Sequence, residues 1–182
     1  GGMQPAIIHF GANNPFYKPE ETSTEIVEDG LWRGIKSSWV ITNDKEYLRG
    51  LNVETTYLTL PGSNIIRTII TLDNKTARRM PCGSGLMIDI GLDGSREGNI
   101  IEATSGSGLW TRNPVKSQFV ANSSFEEPYC RVTKGKQSLA MIIPDGYPGS
   151  AISVDLVMML LNWIINYTYV EPNAKTTTEI AI

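Results

Sequence analysis

A chain of 182 residues, 41% hydrophobic and 19% charged, has the composition of one globular domain with a single core, not of a disordered chain. Its 16 Lys and Arg against 19 Asp and Glu leave a net charge of −3, and Arg78-Arg79 and Lys134/Lys136 are only short basic pairs. Without a basic face to release counterions from phosphates, nucleic acid is set aside as a partner, and so is polybasic docking on a membrane.

Taken in chain order, Gly1-Gly2-Met3 has no charged region followed by an apolar run, so no signal peptide is expected. Residues 1–30 carry Pro5, Pro15 and Pro19 and an acidic cluster at Glu20, Glu21, Glu25 and Glu28. They are expected to be a loop-rich segment with one short strand at Ala6–Phe10. From Leu31 onward, runs rich in Val, Ile, Thr, Tyr and Trp alternate with Gly, Asn, Asp and Pro, as in a chain of many strands joined by turns. Residues 31–182 are therefore expected to form a β-sandwich, with the whole chain one soluble domain.

Strands are predicted near Leu31–Ile35, Ser38–Thr42, Leu51–Leu60, Ile65–Leu72, Gly85–Gly91, Ile100–Ala103, Ser117–Ala121, Tyr129–Thr133, Ser138–Pro144, Ile164–Glu171 and Thr176–Ile182. Asn43-Asp44, Pro61-Gly62-Ser63-Asn64, Asp73-Asn74 and Asp93-Gly94 supply the turns. In Ile65–Leu72, alternation puts Ile66, Thr68, Ile70 and Leu72 on one face, and Ile65, Arg67, Ile69 and Thr71 on the other. Both faces are largely apolar, which predicts a central strand covered on both sides and favours stacked sheets. Ala151–Ile165 is too short for a membrane span of about 20 residues and is broken by Asp155 and Asn162, so it reads as core. Within it, Leu156–Trp163 fits a helix capped by Asp155 or a buried strand, and the β-forming neighbours favour the strand.

The run Tyr47-Leu48-Arg49-Gly50-Leu51-Asn52-Val53-Glu54-Thr55-Thr56-Tyr57-Leu58-Thr59-Leu60, its turn Pro61–Asn64, the strand Ile65–Leu72 and the closing Asp73-Asn74-Lys75-Thr76 resemble the paired strands of galactose mutarotase-like domains. Tyr169-Val170-Glu171-Pro172-Asn173 with Thr176–Ile182 is similar to their last hairpin. The resemblance covers about a third of the chain and implies an all-β fold, an antiparallel supersandwich or β-sandwich. Such domains occur in sugar epimerases, polysaccharide lyases and accessory parts of glycoside hydrolases, and are usually longer, which fits a shortened relative or a piece of a larger protein. Mutarotases move protons with two histidines and a carboxylate. His9 is the single histidine here and lies outside the matching region, so that set cannot be placed and mutarotase activity is not expected.

Other chemistry is sparse. Cys82 and Cys130 with one histidine do not make a zinc framework. Two reduced thiols are preferred over one disulfide, which favours the cytoplasm. Gly83-Ser84-Gly85 and Gly106-Ser107-Gly108 complete no nucleotide-binding pattern and read as hairpin loops, and the stretch from Asp89 lacks calcium ligands at Gly91 and Ile100. No metal and no cofactor is expected. Asn74, Asn122 and Asn166 each begin an N-glycosylation acceptor pattern. Glu54, Glu102, Glu126, Glu127 and Asp145 are carboxylates that a glycosidase pair could use, with solvated surface charge as the plainer reading.

Indole rings cover the apolar faces of sugars, which makes Trp32, Trp39, Trp110 and Trp163 candidates, although any one tryptophan is more often core. Trp110 stands out because Ser105–Leu109 and Thr111–Pro114 give it a loop-like setting, with Arg112 beside it. Arg67 is a weaker candidate, since a charge on an apolar strand needs a partner, either a ligand or a carboxylate of the protein. Trp110, Arg112 and Arg67 are thus the expected ligand-binding residues, at a surface groove. Three functions fit, in this order: a non-catalytic module that recognises carbohydrate or accompanies a carbohydrate-active domain, a carboxylate-based lyase or glycosidase, and a protein-assembly module. The partners to expect are a carbohydrate, a second copy of the chain or a neighbouring domain.

Overall fold

The computed structural model describes residues 3–9, 22–42, 47–89, 98–105, 108–112, 129–142, 151–155 and 160–182. The strands among them are β1 (Met3–His9), β2 (Ser23–Asp29), β3 (Trp32–Val40), β4 (Leu51–Thr59), β5 (Ile66–Asn74), β6 (Met80–Asp89), β7 (Ile100–Ser105), β8 (Gly108–Arg112), β9 (Tyr129–Lys134), β10 (Gln137–Ile142), β11 (Ala151–Asp155), β12 (Leu160–Val170) and β13 (Lys175–Ala181). They form a nine-stranded sheet in the order β2-β3-β4-β5-β13-β10-β9-β7-β8 and a four-stranded sheet in the order β1-β6-β12-β11. Neighbouring strands run antiparallel, as an all-β sandwich requires. Among the described residues, the large sheet is continuous through one residue pair, Ile142 opposite Ala181, between β10 and β13.

Alternation along the strands builds the core. Leu51, Val53, Ile70, Leu72 and Ile180 of the large sheet and Cys82, Leu86 and Val170 of the small one are at most 2% exposed. One hydroxyl pair crosses this interior: Ser84 of β6 lies 2.9 Å from Thr178 of β13, both fully buried. Each hydroxyl thus has a partner where water cannot reach it. The turn between β2 and β3 uses Gly30 at φ 61°, and the one between β12 and β13 uses Asn173 at φ 58°. Both are residue types that tolerate the left-handed region.

The all-β class and most strand positions agree with expectation, with five local corrections. Residues 1–30, read as loop-rich with one strand at Ala6–Phe10, contribute a strand to each sheet: β1, which overlaps that stretch, and β2, which was not expected. In β2, the acidic cluster that suggested a solvated loop is a set of cross-strand partners: Glu25 stands opposite Lys36 and Glu28 opposite Arg33, and both pairs form salt bridges. Leu31–Ile35 and Ser38–Thr42 are one strand, β3, because Ser37 and Ser38 stay in register with Thr55 and Glu54. Gly83-Ser84-Gly85 is the middle of β6, between β1 and β12, not a hairpin loop. Finally, β5 is not covered on both faces: Thr68, Ile70 and Leu72 are buried, while Arg67, Ile69 and Thr71 are half-exposed.

Of Leu156–Trp163, the described half, Leu160–Trp163, is strand as preferred, at the start of β12. Residues 156–159, Ser117–Ala121 and the acceptor pattern at Asn122 lie outside the described residues.

Candidate functional site

Among the described residues, the half-exposed face of the large sheet carries several paired charges. Strand register aligns Glu25, Lys36, Thr56, Ile69 and Glu179 in one row of that face, and Val27, Gly34, Leu58, Arg67 and Ala181 in the next. The guanidinium of Arg67 donates from Nε and Nη2 to the two Glu179 carboxylate oxygens, at 2.5 and 3.0 Å. Its Nη1 donates to Asp29 Oδ2 at 2.7 Å. Asp29 ends β2, three positions from β5 in the sheet order, so this hydrogen bond ties the end of the edge strand back to the centre of the sheet. A Cβ at Gly34 would fall 1.8 Å from the Tyr57 carbonyl oxygen, so this close crossing of β3 and β4 requires glycine. The Glu179 hydrogen bond is the main reason the Arg67 guanidinium holds its proton more tightly than usual, with Asp29 adding to it and burial opposing.

Further groups on this face are also paired. Lys36 binds Glu25, whose hydrogen bond raises the Lys36 pKa, and Glu54 adds a smaller contribution. Burial alone would raise the pKa of Asp73, but Lys75 at 3.0 Å and Lys175 at 3.1 Å outweigh it and hold the carboxyl below the ordinary range. Glu102 accepts from Arg131 Nε at 2.7 Å. The face offers fixed donors and acceptors, with hydroxyls of Thr71 and Thr177 3.1 Å apart between them. That arrangement suits hydrogen bonding to a hydroxylated ligand.

The three expected ligand residues do not share one place. Trp110 and Arg112 belong to the edge strand β8, where a loop was expected, in register with Ala103 and Ile101. Their side chains lie outside the described residues. Arg67 is on β5, five strand positions from β8 in the sheet order. At a spacing of about 4.8 Å per strand, that is roughly 24 Å along the sheet. Its partners are carboxylates of the protein, one of the two alternatives the sequence left open.

Among the other tryptophans, Trp39 is 8% exposed and part of the core, and Trp32 is half-buried. The side chain of Trp163 and residues Glu126, Glu127 and Asp145 lie outside the described residues. Cys82 is a free, buried thiol whose pKa burial pushes up to about 12. Sequence reasoning missed Asp29, Glu179 and Asp73. The available signal was the apolar strand around Arg67, which demands a counter-charge but does not say from which strand.

No protein-family model and no curated protein sequence matches the chain. Solved structures do. A GH36 α-galactosidase from Geobacillus stearothermophilus matches 97% of this chain with a TM-score of 0.63 at 11% identity, over 29% of its own length. A putative aldose 1-epimerase from Klebsiella pneumoniae matches 98% with a TM-score of 0.60 at 11% identity, over 61% of its length. A TPR-domain containing protein from Parabacteroides distasonis matches 97% with a TM-score of 0.66 at 9% identity, over 36% of its length. The chain thus spans less than two thirds of each of these proteins. Identities this low speak to architecture alone. The fold of the chain is galactose mutarotase-like.

Proposed function

We propose that the chain is a carbohydrate-associated domain, a non-catalytic module for sugar recognition or an accessory to a carbohydrate-active domain. The observation that carries this reading is a ratio. Nearly the whole chain, 97%, superposes on only 29% of an α-galactosidase, so it corresponds to one part of a larger sugar-processing protein. The half-exposed face of the large sheet supports it, because its paired charges and threonine hydroxyls are pre-positioned to hydrogen-bond hydroxyl groups.

Within this reading Trp110 and Arg112 form the principal contact on β8, at register positions on the opposite face of the sheet from Arg67 and Glu102. The indole covers the apolar face of a sugar ring, and the guanidinium hydrogen-bonds its hydroxyls. Arg67 is a second, separate contact. Glu179 holds two of its nitrogens, while the third is bonded to Asp29, whose side chain is 62% exposed and can yield to a ligand oxygen.

The test is a glycan-array screen followed by calorimetry on any glycan captured. Raffinose is included because the Geobacillus α-galactosidase was crystallised in complex with it. Binding without turnover, lost in Trp110→Ala at an unchanged melting temperature, is expected. A sharp fall in melting temperature in Trp110→Ala would make that residue core. Binding to no glycan, or turnover that a carboxylate substitution abolishes, would refute the non-catalytic recognition role.

A further inference from the structure

We propose that β2 is a dimer edge, onto which a second copy of this chain adds its own β2 antiparallel about a two-fold axis at Ile26. Strand β2 ends the nine-stranded sheet, and among the described residues it pairs only with β3. An open edge is a template for another strand unless something protects it. Ser23-Thr24-Glu25-Ile26-Val27-Glu28-Asp29 contains neither the lysine nor the proline that usually does so. Its three carboxylates are all engaged within the chain: Glu25 with Lys36, Glu28 with Arg33 and Asp29 with Arg67. The charge that would repel an incoming strand is therefore largely neutralised.

The edge is also apolar at its centre. Ile26 is 85% exposed, and its register partner Ile35 is 46% exposed. Pairing Ile26 with the partner's Ile26 would give a continuous isoleucine row from β3 of one copy to β3 of the other. Isoleucine pairs of this kind stabilise adjacent strands.

Charge is compatible with a second copy as the occupant and, among the registers that pair five or more residues of β2, selects one. A two-fold axis normal to a sheet keeps opposed side chains on the same face, so the antiparallel register must be centred on a residue. Centred on Glu25, the pairing sets Glu25 against itself. Centred on Val27, it sets Glu25 against Asp29. Centred on Ile26, it sets Ser23 against Asp29, Thr24 against Glu28 and Glu25 against Val27. That register has no like-charged pair and places both hydroxyl residues opposite carboxylates.

The experiment is sedimentation equilibrium of the full chain over a concentration series. The wild type is expected to reach twice the mass of one chain. Ile26→Lys, which sets two ammonium groups against each other at the axis, is expected to stay at the mass of one chain with an unchanged circular dichroism spectrum. Because Ile26 is so exposed, the substitution should fold. Ile26→Cys gives an independent readout: under mild oxidation it should form a covalent dimer, and Leu31→Cys, exposed but off the strand, should not. A wild type that remains monomeric would leave the edge to a neighbouring domain and overturn the proposal. So would a dimer indifferent to Ile26→Lys, or equal cross-linking at Ile26 and Leu31.

Discussion

The side-chain amide of Asn74 donates to the carbonyl of Val170 at 2.9 Å, joining the end of β5 in the large sheet to the end of β12 in the small one. The same nitrogen donates to the Arg78 carbonyl at 2.7 Å, and the amide oxygen accepts from the Thr76 amide and hydroxyl at 3.0 and 2.7 Å. All four hydrogen-bonding positions of a fully buried amide are filled. Asn74→Ala should therefore cost about 2–3 kcal/mol, since it orphans buried carbonyls as well as losing bonds. Asn74→Asp should be no better, because a carboxylate cannot donate to either carbonyl. Urea unfolding of both variants checks this, and a loss under about 0.5 kcal/mol, as at an ordinary surface site, would show that the amide does not tie the sheets. The same burial predicts that Asn74-Lys75-Thr76 is not glycosylated in the folded protein.

Arg67 and Glu179 make a second prediction. Their side chains are 26% and 25% exposed, so removing one leaves the other partly desolvated without its counter-charge. Arg67→Ala should destabilise by about 2 kcal/mol, and Arg67→Leu combined with Glu179→Leu should recover most of that loss. A double-mutant cycle measures the coupling. Additive effects within about 0.3–0.5 kcal/mol, as for independent sites, would mean the bidentate contact contributes nothing.

These two clusters mark how far the sequence could be read. The alternation in Leu51–Thr59 and Ile66–Asn74 carries its own register, so the central strands and the sandwich follow from local pattern. Glu25 and Glu28 give no such signal, because their partners Lys36 and Arg33 become neighbours only once the hairpin closes. Gly83 and Gly85 look like turn residues until β1 and β12 flank them. At the candidate site, the need of Arg67 for a counter-charge was legible. Its source, Glu179 at the far end of the sequence, depends on β5 and β13 being neighbours, which no local pattern encodes.

The lysines around Asp73 predict acid sensitivity. Its folded pKa lies below the ordinary 3.8. A carboxyl depressed on folding contributes stability that is complete above its unfolded pKa and is lost as pH falls through the folded one. The window therefore opens below about pH 4–5 and extends downward. In Asp73→Asn the urea midpoint should fall at pH 7 and approach that of the wild type near pH 2. A constant difference between the two proteins across that range would contradict the assignment.

Cys82 yields the last prediction. Its thiol is fully buried in β6, opposite His9 on one side and Thr168 on the other. Burial pushes its pKa up to about 12, because a charged thiolate is poorly solvated there. The thiolate is the reactive form. At pH 8 only about one thiol in ten thousand would be ionised with such a pKa, against roughly a quarter for an ordinary cysteine. Access is closed as well, so alkylation of the native protein should wait for local or global opening. Iodoacetamide labelling followed by peptide mass spectrometry should leave the Cys82 peptide unmodified under native conditions and fully modified in urea. Rapid native labelling at Cys82 would mean that β6 opens readily between β1 and β12, and that the small sheet is far less stable than its buried core implies.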